Sequence, residues 1–252
     1  MDVLLVSGRS SGGQADATRD RAAEVTRSLV EDGHQVRWLC PVSDEQGDPD
    51  LPTGAALRQI VTQAPEFRRV LERTGDVATD SALTEEIRRR LPDIVHVLAF
   101  GGASSSVVPW IANRLGVAVV ASVDARELLC HRGTLIDDRG QACDAWADAS
   151  RCTACCLTPF AEGLTEREAR RGRRLSFLGS WSPYPQPHSY ERRLSLLVGG
   201  LLPASLVIVR GEPHRDLLER AGVPRDKLRV ADDPSASALR GYYAEAQRAY
   251  SP

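Results

Sequence analysis

Residues 92–121, PDIVHVLAFGGASSSVVPWIANRLGVAVVA, decide the fold. Ile94–Leu98 is a short apolar run, Gly101-Gly102 interrupt the chain, a helix-length segment follows around Val107–Leu115, and Val117–Ala121 is a second apolar run. Strands that are apolar without alternation are buried on both faces, which requires a parallel sheet covered by helices. The same unit repeats outward in both directions. Val3–Val6, Val36–Leu39, Leu206–Val209 and Leu228–Val230 read as further strands of this kind. Between them, Ala22, Val25 and Leu29 share one helical face and Gly33 follows as a stop. Leu83, Ile87 and Leu91 recur at four-residue spacing and Pro92 closes that helix. The tail, Ser235 to Tyr250, sets Leu239, Tyr243 and Ala246 on one side of a last helix. The expectation is a single Rossmann-like, doubly wound α/β sheet over residues 1–234, with a Cys-rich insertion at 125–157 and a C-terminal helix at 235–252.

Composition excludes several roles. The chain has 252 residues, 42% hydrophobic and 26% charged, with a formal charge of -2, so no overall field draws it to nucleic acid. Four Phe, five Tyr and four Trp are too few for a base-stacking surface. Of the 32 basic residues only Lys227 is a lysine. No apolar run reaches the ~18 residues of a membrane-spanning helix. Met1-Asp2-Val3-Leu4-Leu5 lacks the basic lead of a signal peptide, so a cytoplasmic location is expected. Six cysteines in such a chain point to metal or redox chemistry before disulfides.

Five of those cysteines fall between residues 130 and 156. Cys130, Cys143, Cys152 and Cys155 have the spacing C-x12-C-x8-C-x2-C, and Cys156 is adjacent. The C-x2-C pair offers a two-thiolate bite and two further thiolates complete a tetrahedron, so zinc is expected, with an iron–sulfur cluster as the alternative. Cys156 can substitute for Cys155, and His131 for Cys130. After the first strand, Gly12 and Gly13 form either a tight turn or an anion cradle. The G-x-G-x-x-G fingerprint of dinucleotide enzymes is not met there. His96 lies towards the carboxyl end of a central strand, the ligand side of open α/β sheets, although core histidines are common there too. Arg167, Arg170, Arg171, Arg173 and Arg174 form a basic cluster, partly offset by Glu166 and Glu168, that reads as a solvated helix face. Residues 176–190, with three prolines, read as an exposed loop.

Taken in order, these features resemble the N-terminal half of GT-B-fold glycosyltransferases of the family 4 type. The matching stretches are Gly12-Gly13, Gly33-His34-Gln35-Val36, Pro92 to Leu98, and Arg114-Leu115-Gly116-Val117-Ala118-Val119-Val120. Leu129-Cys130-His131-Arg132 to Leu135, Arg139-Gly140-Gln141-Ala142-Cys143 and Cys152 to Cys155 are similar to a four-cysteine subset of that family. Leu206-Val207-Ile208-Val209, Asp216-Leu217-Leu218, Gly222-Val223-Pro224 and Lys227 to Val230 continue the likeness. Val123 stands where the family has the histidine of L-H-D, Asp124 keeps its acid, and Gly211 replaces a serine. The second Rossmann domain, which binds the nucleotide sugar in the family, has no counterpart in these residues. Leu239 to Tyr250 resembles the helix that crosses back onto the first domain.

The resemblance implies half of a GT-B fold, the half that binds the sugar acceptor, working with a partner chain that carries a nucleotide-sugar-binding domain. It makes Asp124 the candidate catalytic acid–base group and Gly12, Gly13 and His96 candidate substrate contacts. An exposed carboxylate with a pKa of ~3.9 is a weak base at neutral pH, so Asp124 reads equally as a cap on the next segment. The alternative function is a non-catalytic, metal-stabilised accessory protein derived from such an enzyme. A stand-alone nucleotide-dependent enzyme comes last, because no phosphate fingerprint is present.

Overall fold

The computed structural model describes residues 1–7, 14–42, 51–62, 74–75, 77–100, 105–161, 186–231 and 236–250. Seven strands form one parallel sheet: β1 (Asp2–Ser7), β2 (Gln35–Val42), β3 (Ala55–Val61), β4 (Ile94–Phe100), β5 (Ala118–Val123), β6 (Leu206–Val209) and β7 (Leu228–Val230). Their order across the sheet is β3-β2-β1-β4-β5-β6-β7, a doubly wound Rossmann-like arrangement whose order reverses between β1 and β4. The register is continuous there, with Val3 opposite Ile94 and Leu5 opposite His96.

The helices are α1 (Gln14–Glu31), α2 (Val77–Arg89), α3 (Val108–Arg114), α4 (Ala125–Leu129), α5 (Ala149–Ala161), α6 (Pro187–Leu201), α7 (Gly211–Arg220) and α8 (Ala236–Ala249). Strand side chains alternate between two apolar layers. Leu4, Val6, Val95, Val97, Val119 and Ala121 face one core, which α2, α3, α4 and α6 complete. Val3, Leu5, Ile94, Leu98, Val120 and Ile208 face the other, which α1 and α8 complete. The unbroken apolar runs in the sequence are the signature of this double burial.

Six strands lie where expected. The seventh, β3, is an edge strand whose apolar run is broken by Arg58 and Gln59. Gly33 and Gly116 follow α1 and α3 at φ +80 and +84, a left-handed conformation that closes each helix and turns the chain into the next strand. Leu91 corrects the expectation for α2: the helix ends at Arg89, and Leu91 lies beyond its last turn with 63% of its surface exposed. The tail helix is as predicted. Leu239, Tyr243 and Ala246 are all buried, and α8 packs on α1, β5 and β6. The insertion, read as aperiodic, contains α4 and the start of α5, and the expected loop ends instead in the first turn of α6. Gly12, Gly13 and the arginine cluster at 167–174 lie outside the described residues. No described helix is long and apolar enough to cross a membrane.

Candidate functional site

At the carboxyl edge of the sheet, β5 leads into α4 and β6 into α7. Asp124 leaves β5 and N-caps α4, its Oδ1 accepting from the backbone N–H of Arg126 at 2.9 Å. The Arg126 guanidinium also grips it, Nε to Oδ1 at 3.1 Å and Nη2 to Oδ2 at 2.7 Å. Burial opposes ionisation of Asp124, but these hydrogen bonds outweigh it and hold the carboxyl below its ordinary range. The carboxylate is therefore ionised and already engaged, the state of a capping and orienting group rather than of a proton acceptor. His214 on α7 is near enough to favour the same charge.

His96 occupies a different place from the one its strand position suggests. It is fully buried on the face of β4 under α8, with Tyr243 Oη 2.7 Å from Nδ1 and Ser122 Oγ 2.9 Å from Nε2. Burial drives its pKa down to about 3, with Arg21 adding a smaller push in the same direction. Both ring nitrogens are spent on protein partners and no ring surface reaches solvent, so the geometry gives it a tethering role between sheet and tail helix. The signal for this was Tyr243 itself, the one polar-tipped side chain on the buried stripe of α8.

The insertion brings the cysteines together. Cys130 caps the carboxyl end of α4, its N–H bonded to the Arg126 carbonyl at 2.9 Å. The chain then makes a narrow loop closed by the antiparallel bridge between Ile136 and Ala142. Asp137 Oδ1 holds that turn by accepting from the N–H groups of Arg139 and Gln141, each at 2.9 Å. The Cys143 N–H donates to the Leu135 carbonyl at 2.7 Å, which returns Cys143 towards Cys130. Asp148 caps α5 through the N–H groups of Ser150 and Arg151. Cys152 and Cys155, three residues apart, then share one helical face.

All four expected cysteines, together with Cys156, line a single cavity of about 40 Å³. Burial pushes Cys152 up to about 11, and the neighbouring Cys130, Cys143 and Cys155 push the same way. Cys143 is raised chiefly by burial and further by Cys130 and Cys155. Cys156 is distinct: it is 4% exposed and packs with Ala149 and Tyr190. His131 is buried edge-to-face against the Tyr190 ring, 5.4 Å between centroids. Arg132 reaches across the cavity, Nη1 donating to Cys155 Sγ at 3.3 Å. The donor set suits a thiophilic cation. As the side chains lie, no three His, Cys, Asp or Glu among the described residues stand in metal-holding geometry.

Behind the cavity, Arg193 of α6 is 3% exposed and donates to the last carbonyls of α4, Nη1 to Leu128 at 3.0 Å and Nη2 to Glu127 at 2.7 Å. A buried cation at a helix carboxyl end complements the helix dipole and satisfies carbonyls left open there. Sequence reading missed this residue, because nothing local separates one arginine of α6 from the exposed Arg192 beside it.

No family model and no curated protein matches the chain. Among solved structures it is similar to UDP-GlcNAc 2-epimerase from Methanocaldococcus jannaschii (TM-score 0.42, 11% identity, covering 91% of this chain and 45% of that one). It is similar also to sucrose-phosphate synthase from Thermosynechococcus elongatus (0.48, 12%, 91% and 47%) and to Os79 from O. sativa in complex with UDP (0.41, 13%, 90% and 51%). The chain spans about half the length of these structures.

Proposed function

We propose that this chain is the acceptor-side half of a GT-B-type sugar-transfer assembly, in which a second polypeptide supplies the nucleotide-sugar site. The supporting observation is the Rossmann-like sheet with α8 folded back across α1, β5 and β6, in a sequence whose motif order resembles that family. In this reading the acceptor lies at the carboxyl edge, against the start of α4 and α7. Asp124, held ionised by Arg126, orients an acceptor hydroxyl as a hydrogen-bond acceptor. The chain's contribution is positioning in a crevice closed by its partner. The leaving diphosphate is stabilised from the partner's side.

The non-catalytic accessory reading is favoured by one observation: His96 and Asp124 are both committed to protein partners. Calorimetric titration of nucleotide sugars, with and without candidate partner chains, separates the two. Donor hydrolysis or transfer seen only in the mixture supports the split enzyme; tight partner binding without sugar turnover supports the accessory. Asp124→Ala is expected to lower turnover of the mixture while costing about 1 kcal/mol of stability as a lost cap. Unchanged turnover by that variant removes Asp124 from the acceptor site, and sugar transfer by this chain alone overturns the split reading.

A further inference from the structure

We propose that Cys130, Cys143, Cys152 and Cys155 form a structural zinc site that staples the end of α4 to α5, with Arg132 as the residue that offsets its negative charge. This holds whichever functional reading is correct. The four side chains come from three separate pieces of chain: the α4 cap, the return of the Asp137 loop, and one face of α5. That all four line one small cavity is a tertiary fact that the spacing alone does not supply. All four are partly exposed, which leaves an ion and its displaced water a route in and out.

The surroundings choose among the alternatives that the sequence leaves open. Cys156 is the most buried of the five, 4% exposed and packed with Ala149 and Tyr190, so it is left out of the ligand set. His131 is packed against the same ring. Arg132 points the other way, onto the Cys155 sulfur. A tetrathiolate zinc centre carries a net charge of about −2, which a nearby guanidinium partly neutralises. Binding proceeds with transfer of each thiol proton to solvent as its sulfur bonds the metal, and requires the thiols to move, because among the described residues no three such side chains stand in metal-holding geometry.

The site gives the insertion a reason to be ordered. Among the described residues, 130–148 hold one isolated bridge and no helix, so few backbone hydrogen bonds fix that loop to the domain. Four metal bonds would do so, setting the loop beside the carboxyl edge at the far end of α4 from Asp124.

The test uses the full chain. Metal content is measured on purified protein, and the metal-stripped protein is titrated with Co²⁺ and then Zn²⁺. One zinc per chain, and a tetrahedral thiolate-bound Co²⁺ spectrum at one equivalent, are expected. Cys156→Ser should keep both, whereas Cys152→Ser and Cys155→Ser should abolish the tetrathiolate spectrum. Arg132→Gln should keep the stoichiometry and weaken Zn²⁺ binding about 10–100-fold, with Arg132→Lys recovering part of the loss. No bound metal together with no tetrahedral Co²⁺ spectrum in the wild-type chain overturns the site. A chromophore with acid-labile sulfide overturns zinc, and loss of binding in Cys156→Ser overturns the ligand set.

Discussion

Lowering the pH from 7 to 5 should destabilise this domain through one buried ring. His96 has no exposed surface, and its folded pKa is about 3 against about 6.5 in an unfolded chain. The folded pKa is the lower one, so the unfolded state takes up the proton first. Stability conferred by the neutral ring is complete above pH 6.5 and declines as pH falls, levelling only near pH 3. Between pH 7 and 5 the loss from this group is about 2 kcal/mol, and over the full window it approaches about 5 kcal/mol. For a domain of this size about 2 kcal/mol lowers the melting temperature by roughly 4–8 °C. His34, also depressed chiefly by burial, adds in the same direction, so wild type alone does not isolate the effect. His96→Gln does, because an amide can still hydrogen-bond Tyr243 and Ser122 but does not titrate. The variant is expected to be less stable at pH 7 and to lose about 2 kcal/mol less than wild type between pH 7 and 5. The assay is urea unfolding at pH 7, 6 and 5 for both proteins. Parallel pH dependence in the two would refute the argument, because it would mean that the ring is solvated or already charged in the folded state.

Two further predictions test how the helices meet the sheet. A Cβ on Gly200 would collide with the Ser106 carbonyl oxygen and come to 3.0 Å from Phe100 Cζ, so Gly200→Ala should cost about 1–3 kcal/mol. Gly199→Ala, next to it on α6 with open space around its Cβ, should be neutral or stabilising by up to about 1 kcal/mol, and thermal melts of the pair check the contrast. Arg193→Met keeps the volume but strips the Glu127 and Leu128 carbonyls of their donor, and should cost about 2–5 kcal/mol in urea unfolding. A loss under about 0.5 kcal/mol would show that water replaces the guanidinium there.

The features legible in the sequence are those that a single element states by itself. An apolar run of five residues announces a doubly buried strand, and Ile94–Phe100 is one. A glycine after a helical stripe announces a stop, as at Gly33 and Gly116. A C-x2-C pair announces a two-thiolate bite, and Cys152 and Cys155 share the cavity. Strand β3 failed this test, because Arg58 and Gln59 break its apolar run. Helix α4 failed it because five residues are too few to show a period.

Long-range pairings were not legible, and they are what separate a ligand group from a structural one. His96 on β4 had the position of a ligand contact, and what decides its role is the Tyr243 hydroxyl 147 residues later. Asp124 was readable as a cap because its partner, Arg126, is two residues away. Arg193 was unreadable because the carbonyls it satisfies lie 65 and 66 residues before it. A polar residue at the ligand edge of a sheet is thus a candidate only until its partners are counted. By that count His96 and Asp124 are committed, and the thiols that line one cavity are the next candidates. An external group bound by the described residues is therefore best sought first at the insertion.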